Sequence, residues 1–240
     1  MRGPTRKIAA LAVHVLTASG GLWGVLALDA IAAQRFGAAL GWMALAVAVD
    51  SIDGAAARLL RVSETMPEID GSLLDNMVDY LNYAVVPAAL MLGSGVLPSS
   101  LALGAVAAVV LAAALQMSHR SAKTEDQLFR GFPSYWNVVA AYLLFLELDP
   151  WINAAIVLGF AALSFAPVYF PYASRTARLR SATLVLGALW GACMIVLALS
   201  WPDADARLAR VSLLYPAWHV ALAAWLTRER ARGRANATAG

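Results

Sequence analysis

Long stretches of the chain carry no charged side chain, and they end where basic residues gather. Uncharged runs occupy Ile8–Leu28, Tyr80–Ser118, Gly131–Leu146, Pro150–Ser174, Ser181–Pro202 and Val211–Thr227. A helix crossing a bilayer needs about 20 mostly apolar residues, so most of these runs are one span each. The Tyr80–Ser118 run is too long for one. Within it, Gly93–Ser100 (GSGVLPSS) supplies the Gly, Pro and Ser of a turn. A further segment, Phe36–Leu60, is apolar through Val49 and then carries Asp50, Asp53 and Arg58. The pattern predicts an all-α integral membrane protein of about eight transmembrane helices. They lie near 8–31, 36–60, 71–92, 98–118, 132–148, 151–172, 181–200 and 210–227.

Composition agrees with this reading. Of 240 residues, 61% are hydrophobic and 14% charged, against roughly 45–50% and 25% in soluble domains. A soluble enzyme is excluded, and so is disorder, which needs low hydrophobicity and high charge. The single cysteine, Cys193, excludes a disulfide framework and a cysteine zinc site. Charge then sets orientation. With the N-terminus inside and eight spans, inward segments hold 15 of the 18 basic residues, leaving Arg35, Arg207 and Arg210 outside. Cytoplasmic loops carry such an excess of Lys and Arg, so both termini are expected in the cytoplasm. With no repeat and no soluble insertion, residues 1–240 read as one membrane-embedded domain.

Four acidic residues break the pattern. Asp50, Asp53, Asp75 and Asp79 lie in segments that otherwise read as membrane helix. An Asp at a helix centre costs about 2.5–3.5 kcal/mol on the insertion scale. Asp50 and Asp53 are three apart and share one helical face with Gly54, Ala57 and Arg58. Gly71, Asp75 and Asp79 step by four on the next helix, continued by Asn82 and Tyr83. A short Arg61–Asp70 connection makes the helices antiparallel neighbours, so the two acidic stripes can face one another. Small residues at 54, 57 and 71 permit close approach. Carboxylates gathered this closely cannot all stay ionised without counter-charge. Divalent cations supply it, and hard oxygen ligands select Mg²⁺ or Mn²⁺. Two such ions form a clamp for phosphoryl chemistry. The bland reading has the aspartates solvated at helix ends, capping and pairing with Arg58 and Arg61; four on matched faces favour metal.

In order, the segment reads Asp50-x2-Asp53-Gly54-x2-Ala57-Arg58-x12-Gly71-x3-Asp75-x3-Asp79. It closely resembles the motif of the CDP-alcohol phosphatidyltransferase family. The spacer after Arg58 is twelve residues where most of that family has eight. The longer spacer and the Phe132–Asn137 stretch (FPSYWN) resemble its bacterial choline-using branch, and the resemblance covers essentially the whole chain. It implies CDP-diacylglycerol as phosphatidyl donor, an alcohol as acceptor and CMP as leaving group. It implies a site facing the cytoplasm from a bacterial inner membrane. It also implies that Asp50, Asp53, Asp75 and Asp79 ligate two ions, that Asp79 is the general base, and that Gly54, Ala57, Arg58 and Gly71 line the nucleotide and diphosphate.

The acceptor has its own physical argument. Choline's quaternary ammonium donates no N–H bond, so aromatic faces are its natural partners. Tyr83, Tyr135 and Trp136, with Asn137 beside them, could form a partial cage at the level of the aspartates. The same aromatics also fit an interfacial belt. Serine would need a cation for its carboxylate, and Arg120, Lys123 and Arg130 lie in the adjoining loop. On the cage alone the two acceptors stay open; the resemblance selects choline. His14 and His219 are expected to be structural, His14 hydrogen-bonded between helices and, with Thr17, bordering the acceptor cavity. The competing class is a cation- or proton-coupled transporter, which uses intramembrane carboxylates as a relay, although repeat halves and broken helices are not visible. No nucleic-acid partner is expected; a homodimer is compatible with the sequence.

Overall fold

The computed structural model describes residues 3–119, 128–171 and 180–238, with 180 and 233–238 as backbone alone. Helix α1 (Pro4–Ala32) begins with proline in its first turn, where the missing N–H costs nothing. Helix α2 (Phe36–Leu60) follows after three residues, and so tight a link makes the pair antiparallel. Gln34 turns the chain at φ 57°. Trp23 and Trp42 stack across the pair with centroids 5.8 Å apart.

Helix α3 (Val62–Thr65) occupies the connection to α4 (Gly71–Tyr80). Asp70 caps α4, its Oδ1 accepting from the backbone N–H groups of Ser72 and Leu73 at 3.0 Å each. This satisfies two of the donors that a helix start leaves open. The segment expected as one helix over 71–92 is continuous, but it passes through a π-helical turn, Leu81–Val85, before α5 (Val86–Gly93). Pro87 explains the turn. It lacks the N–H for the regular ladder and its ring clashes one turn back, and a wider turn relieves both.

Helix α6 (Ala102–Ser118) starts later than expected, after the Pro98 turn. Helices α7 (Trp136–Phe145) and α8 (Pro150–Leu163) are shorter than the expected 132–148 and 151–172. Among the described residues the missing ends are not helical. Leu128–Arg130 (β1) and Tyr169–Pro171 (β2) pair antiparallel, Phe129 opposite Phe170. Pro167 and Pro171 cannot continue α8, and residues preceding proline favour extended backbone. Helix α9 (Arg180–Leu199) matches expectation, whereas the last segment divides into α10 (Ala206–Ser212) and α11 (Leu214–Thr238). Pro216 sits in the first turn of α11, where proline is tolerated.

The protein is mostly helical, and among the described residues three helices are long and apolar enough to cross a membrane: Pro4–Ala32, Phe36–Leu60 and Ser181–Leu199. Size is sorted in the sense expected for lipid. Alanines 10, 27, 30, 39, 84 and 105 are buried, while Leu103, Leu111 and Leu189 are more than half exposed. Small residues inside let helices approach, and large aliphatics outside meet lipid. In water such a surface would aggregate. Helix α7 is buried along its length, with Trp136 fully enclosed.

Candidate metal and active site

Three helices build the site. Gly20 and Gly24 on α1 let the helix carrying Asp75 and Asp79 come close. A Cβ on Gly20 would lie 2.5 Å from Val78 Cγ1, and one on Gly24 2.8 Å from Leu81 Cδ2. The contact is fastened by Asn82, whose Nδ2 donates to the Gly20 carbonyl at 2.9 Å and to that of Val78 at 3.1 Å. Asn82 lies in the π turn and is buried. Helix α2, hairpin-linked to α1, supplies the opposite wall.

Carboxylate oxygens of Asp50, Asp75 and Asp79 lie within 4.8 Å of one another, each residue half-buried. They edge a narrow cleft whose lining also includes Asp53, Thr17, Gly20, Val78 and Asn82. Asp53 is the most enclosed of the four acids, at 4% exposure, and stands outside the 4.8 Å group. The Tyr83 hydroxyl donates to Asp50 Oδ2 at 2.8 Å, which orients that carboxylate. The π turn places Tyr83 to do so: one extra residue per turn rotates it relative to Asp79.

Three carboxylates this close repel strongly while ionised. Their oxygens are hard donors in the right number for one shared divalent cation, with water or phosphate completing the shell. The donor set fits such an ion. The capping role considered for helix-terminal aspartates falls instead to Asp70.

The other expected residues divide. Arg58 folds back over Gly54, where a Cβ would stand 3.4 Å from its Nη1. Ala57 packs on Ala10, Val13 and Val62. Gly71 faces His14: a Cβ there would lie 3.2 Å from the imidazole Cε1. His14 is buried, and its Nε2 has no hydrogen-bond partner among the described residues, so the interhelical bond expected from it is not formed through that atom. Thr17 does border the cleft.

The expected aromatic cage is not assembled. Tyr83 is the only one of its three aromatics that lines the cleft, and its hydroxyl is engaged by Asp50. Tyr135 precedes α7 in edge contact with Phe132, close enough to Tyr83 to interact electrostatically. Trp136 has 0% exposure and packs edge-on against Phe132 at 5.0 Å. As the first residue of a core helix it faces protein, not the cleft. Asn137 is half-buried, its Oδ1 without a hydrogen-bond partner among the described residues. Arg130 ends β1, and Arg120 and Lys123 lie outside the described residues. Sequence reasoning missed α1 as a full wall of the site; the Gly20–Gly24 spacing was its available signal.

Fold and site together define a helical bundle with a membrane-like exterior and a carboxylate cluster that can hold a metal ion. The CDP-alcohol phosphatidyltransferase family model matches residues 10–168, and the chain belongs to that family. It is similar to phosphatidylcholine synthase of Legionella pneumophila, 35% identical over 226 residues, covering 91% of this chain and 89% of the relative. It is likewise similar to the phosphatidylcholine synthases of Mesorhizobium japonicum (37% over 192 residues, 78% and 72% covered) and Pseudomonas aeruginosa (37% over 187, 78% and 79%).

Proposed function

We propose that the protein transfers the phosphatidyl group of CDP-diacylglycerol to choline, releasing CMP. The observation that carries this is the convergence of Asp50, Asp75 and Asp79 within 4.8 Å beside a wall of small residues. The family supports a CDP-linked phosphatidyl donor, and the relatives' name, phosphatidylcholine synthase, supports choline as acceptor. Asp50, Asp53, Asp75 and Asp79 would hold two divalent ions, Mn²⁺ or Mg²⁺. When bound, these neutralise the carboxylates and draw charge from the diphosphate oxygens.

The choline oxygen attacks the lipid-linked phosphorus. A new P–O bond forms there, the bond to the oxygen of the cytidine-bearing phosphate breaks, and CMP departs with that oxygen. The alcohol proton goes to the Asp79 carboxylate, the second-helix acid nearest the membrane interior. A carboxylate in hydrogen-bond reach of the alcohol can accept it as general base. Gly54, Ala57, Arg58 and Gly71 would line the nucleotide and diphosphate, as the family motif implies. Choline would be held against the Tyr83 ring at the cleft, with Tyr135 near it. In this reading residues 1–240 form one domain crossing a bacterial inner membrane eight times, both termini and the site on the cytoplasmic side.

Purified protein in mixed micelles should release CMP from CDP-diacylglycerol only when choline and Mn²⁺ or Mg²⁺ are both supplied. Turnover in a chelator would overturn the metal site, and serine replacing choline would overturn the acceptor. Cation flux into proteoliposomes with no CMP release would replace transfer by transport.

A further inference from the structure

A second cavity lies at the other end of the bundle. Phe36 lines it from the start of α2, and Asp50 is fourteen residues further along that helix. At 1.5 Å per residue the two sites are about 20 Å apart. The cavity measures ≈ 300 Å³, at the lower end of the range that holds small molecules.

Its lining is chemically specific. Asn153 is 1% exposed, and its Nδ2 donates to the Val96 carbonyl at 2.9 Å. Its Oδ1 has no hydrogen-bond partner among the described residues, and neither does the buried Oγ of Ser94, also on the lining. Buried acceptors left open call for a donor. Glu147 adds a carboxylate at the cavity, on backbone at φ 48° that L-residues rarely adopt. Trp201 and Phe36 add aromatic rings. Trp201 is held in place by α2, since a Cβ on Gly37 would touch its Cδ1 at 3.4 Å. Carboxylate, indole and unfilled acceptors select a cation that also donates hydrogen bonds.

We infer that this cavity binds a protonated primary amine of the amino-alcohol class, free or esterified. The ammonium lies between the Glu147 carboxylate and the Trp201 ring and donates to Asn153 Oδ1. Its source is either a free amino alcohol or the headgroup of an aminophospholipid. A quaternary ammonium has no N–H to give Asn153 and binds less tightly.

The test uses full-length protein labelled with 5-fluorotryptophan in nanodiscs, the Trp201 ¹⁹F resonance being assigned by Trp201→Phe. In phosphatidylglycerol discs, ethanolamine shifts that resonance saturably and tetramethylammonium shifts it only at higher concentration. Glu147→Gln weakens ethanolamine about fivefold, as removal of an exposed charge partner should, and Glu147→Lys abolishes the response. Asp79→Asn leaves it unchanged, which separates this site from the aspartate cleft. If discs containing phosphatidylethanolamine already show the shifted resonance and free ethanolamine adds nothing, the headgroup is the ligand. No saturable shift in either disc, equal response to tetramethylammonium, or full binding by Glu147→Lys overturns the assignment.

Discussion

Tyr83→Phe removes one atom from the site and has a calculable consequence. The hydroxyl donates to Asp50 Oδ2 at 2.8 Å, and Asp50 belongs to the carboxylate group that closes within 4.8 Å. Hydrogen bonds to charged groups contribute about 1.5–3 kcal/mol. At 1.4 kcal/mol per tenfold, metal should bind roughly 10–150-fold more weakly once Asp50 can rotate. That range overlaps the 10–100-fold typical when a group orienting a metal ligand is lost. The assay is CMP release against Mn²⁺ concentration at saturating CDP-diacylglycerol and choline. The half-saturating Mn²⁺ concentration should rise by the stated factor, and kcat should return toward wild type at excess metal. An unchanged metal dependence would refute the orienting role. A rise in the choline KM alone would move Tyr83 to the acceptor side of the cleft, where its ring and not its hydroxyl matters.

Other substitutions probe the remaining parts of the framework. Asp79→Asn should abolish CMP release, losing a factor of at least about 10² as general bases do, while CDP-diacylglycerol still binds by equilibrium dialysis in micelles; substantial turnover would refute the base role. Gly20→Ala forces a methyl to 2.5 Å from Val78 Cγ1, and β-branched Val78 has little freedom to yield. It should cost about 1–3 kcal/mol, read as a lower thermal midpoint in detergent, with activity falling as α1 is pushed from the cleft. Asp70→Ala removes the cap of α4 and should cost about 1 kcal/mol in the same melt, with kcat and metal dependence little changed because the aspartates lie one or more turns further on.

Helices α1 and α9 were legible because each holds a long uncharged stretch whose limits are charge or turn residues, and α2 because it is apolar from Phe36 through Val49. No tertiary knowledge is needed to see that such a stretch must satisfy its own backbone. The aspartates were legible for a related reason. A carboxylate in an apolar helix is costly enough that it requires a partner, and spacings of three and four settle which acids share a face. Features that depend on distant residues were not readable this way. The π turn rests on Pro87 and on Asn82 bonding to a carbonyl 62 positions earlier. Strands β1 and β2 have three residues each and pair across about forty others, so neither shows a period of its own.

The aromatics were the least legible residues of the site. Tyr83, Tyr135 and Trp136 are equally consistent with a belt at the membrane surface, a cage for a cation or a packed core, since an aromatic ring gains in all three settings. Only the burial of α7 separates them, enclosing Trp136 completely while Tyr83 reaches the carboxylates. Polarity differs from hydrophobicity in this respect. A buried charge has few tolerable environments and therefore announces its site, whereas an apolar ring has many and announces nothing until its neighbours are placed. The same asymmetry directs attention to Asn153 and Ser94, whose open acceptors demand a donor in a way that the leucines around them do not.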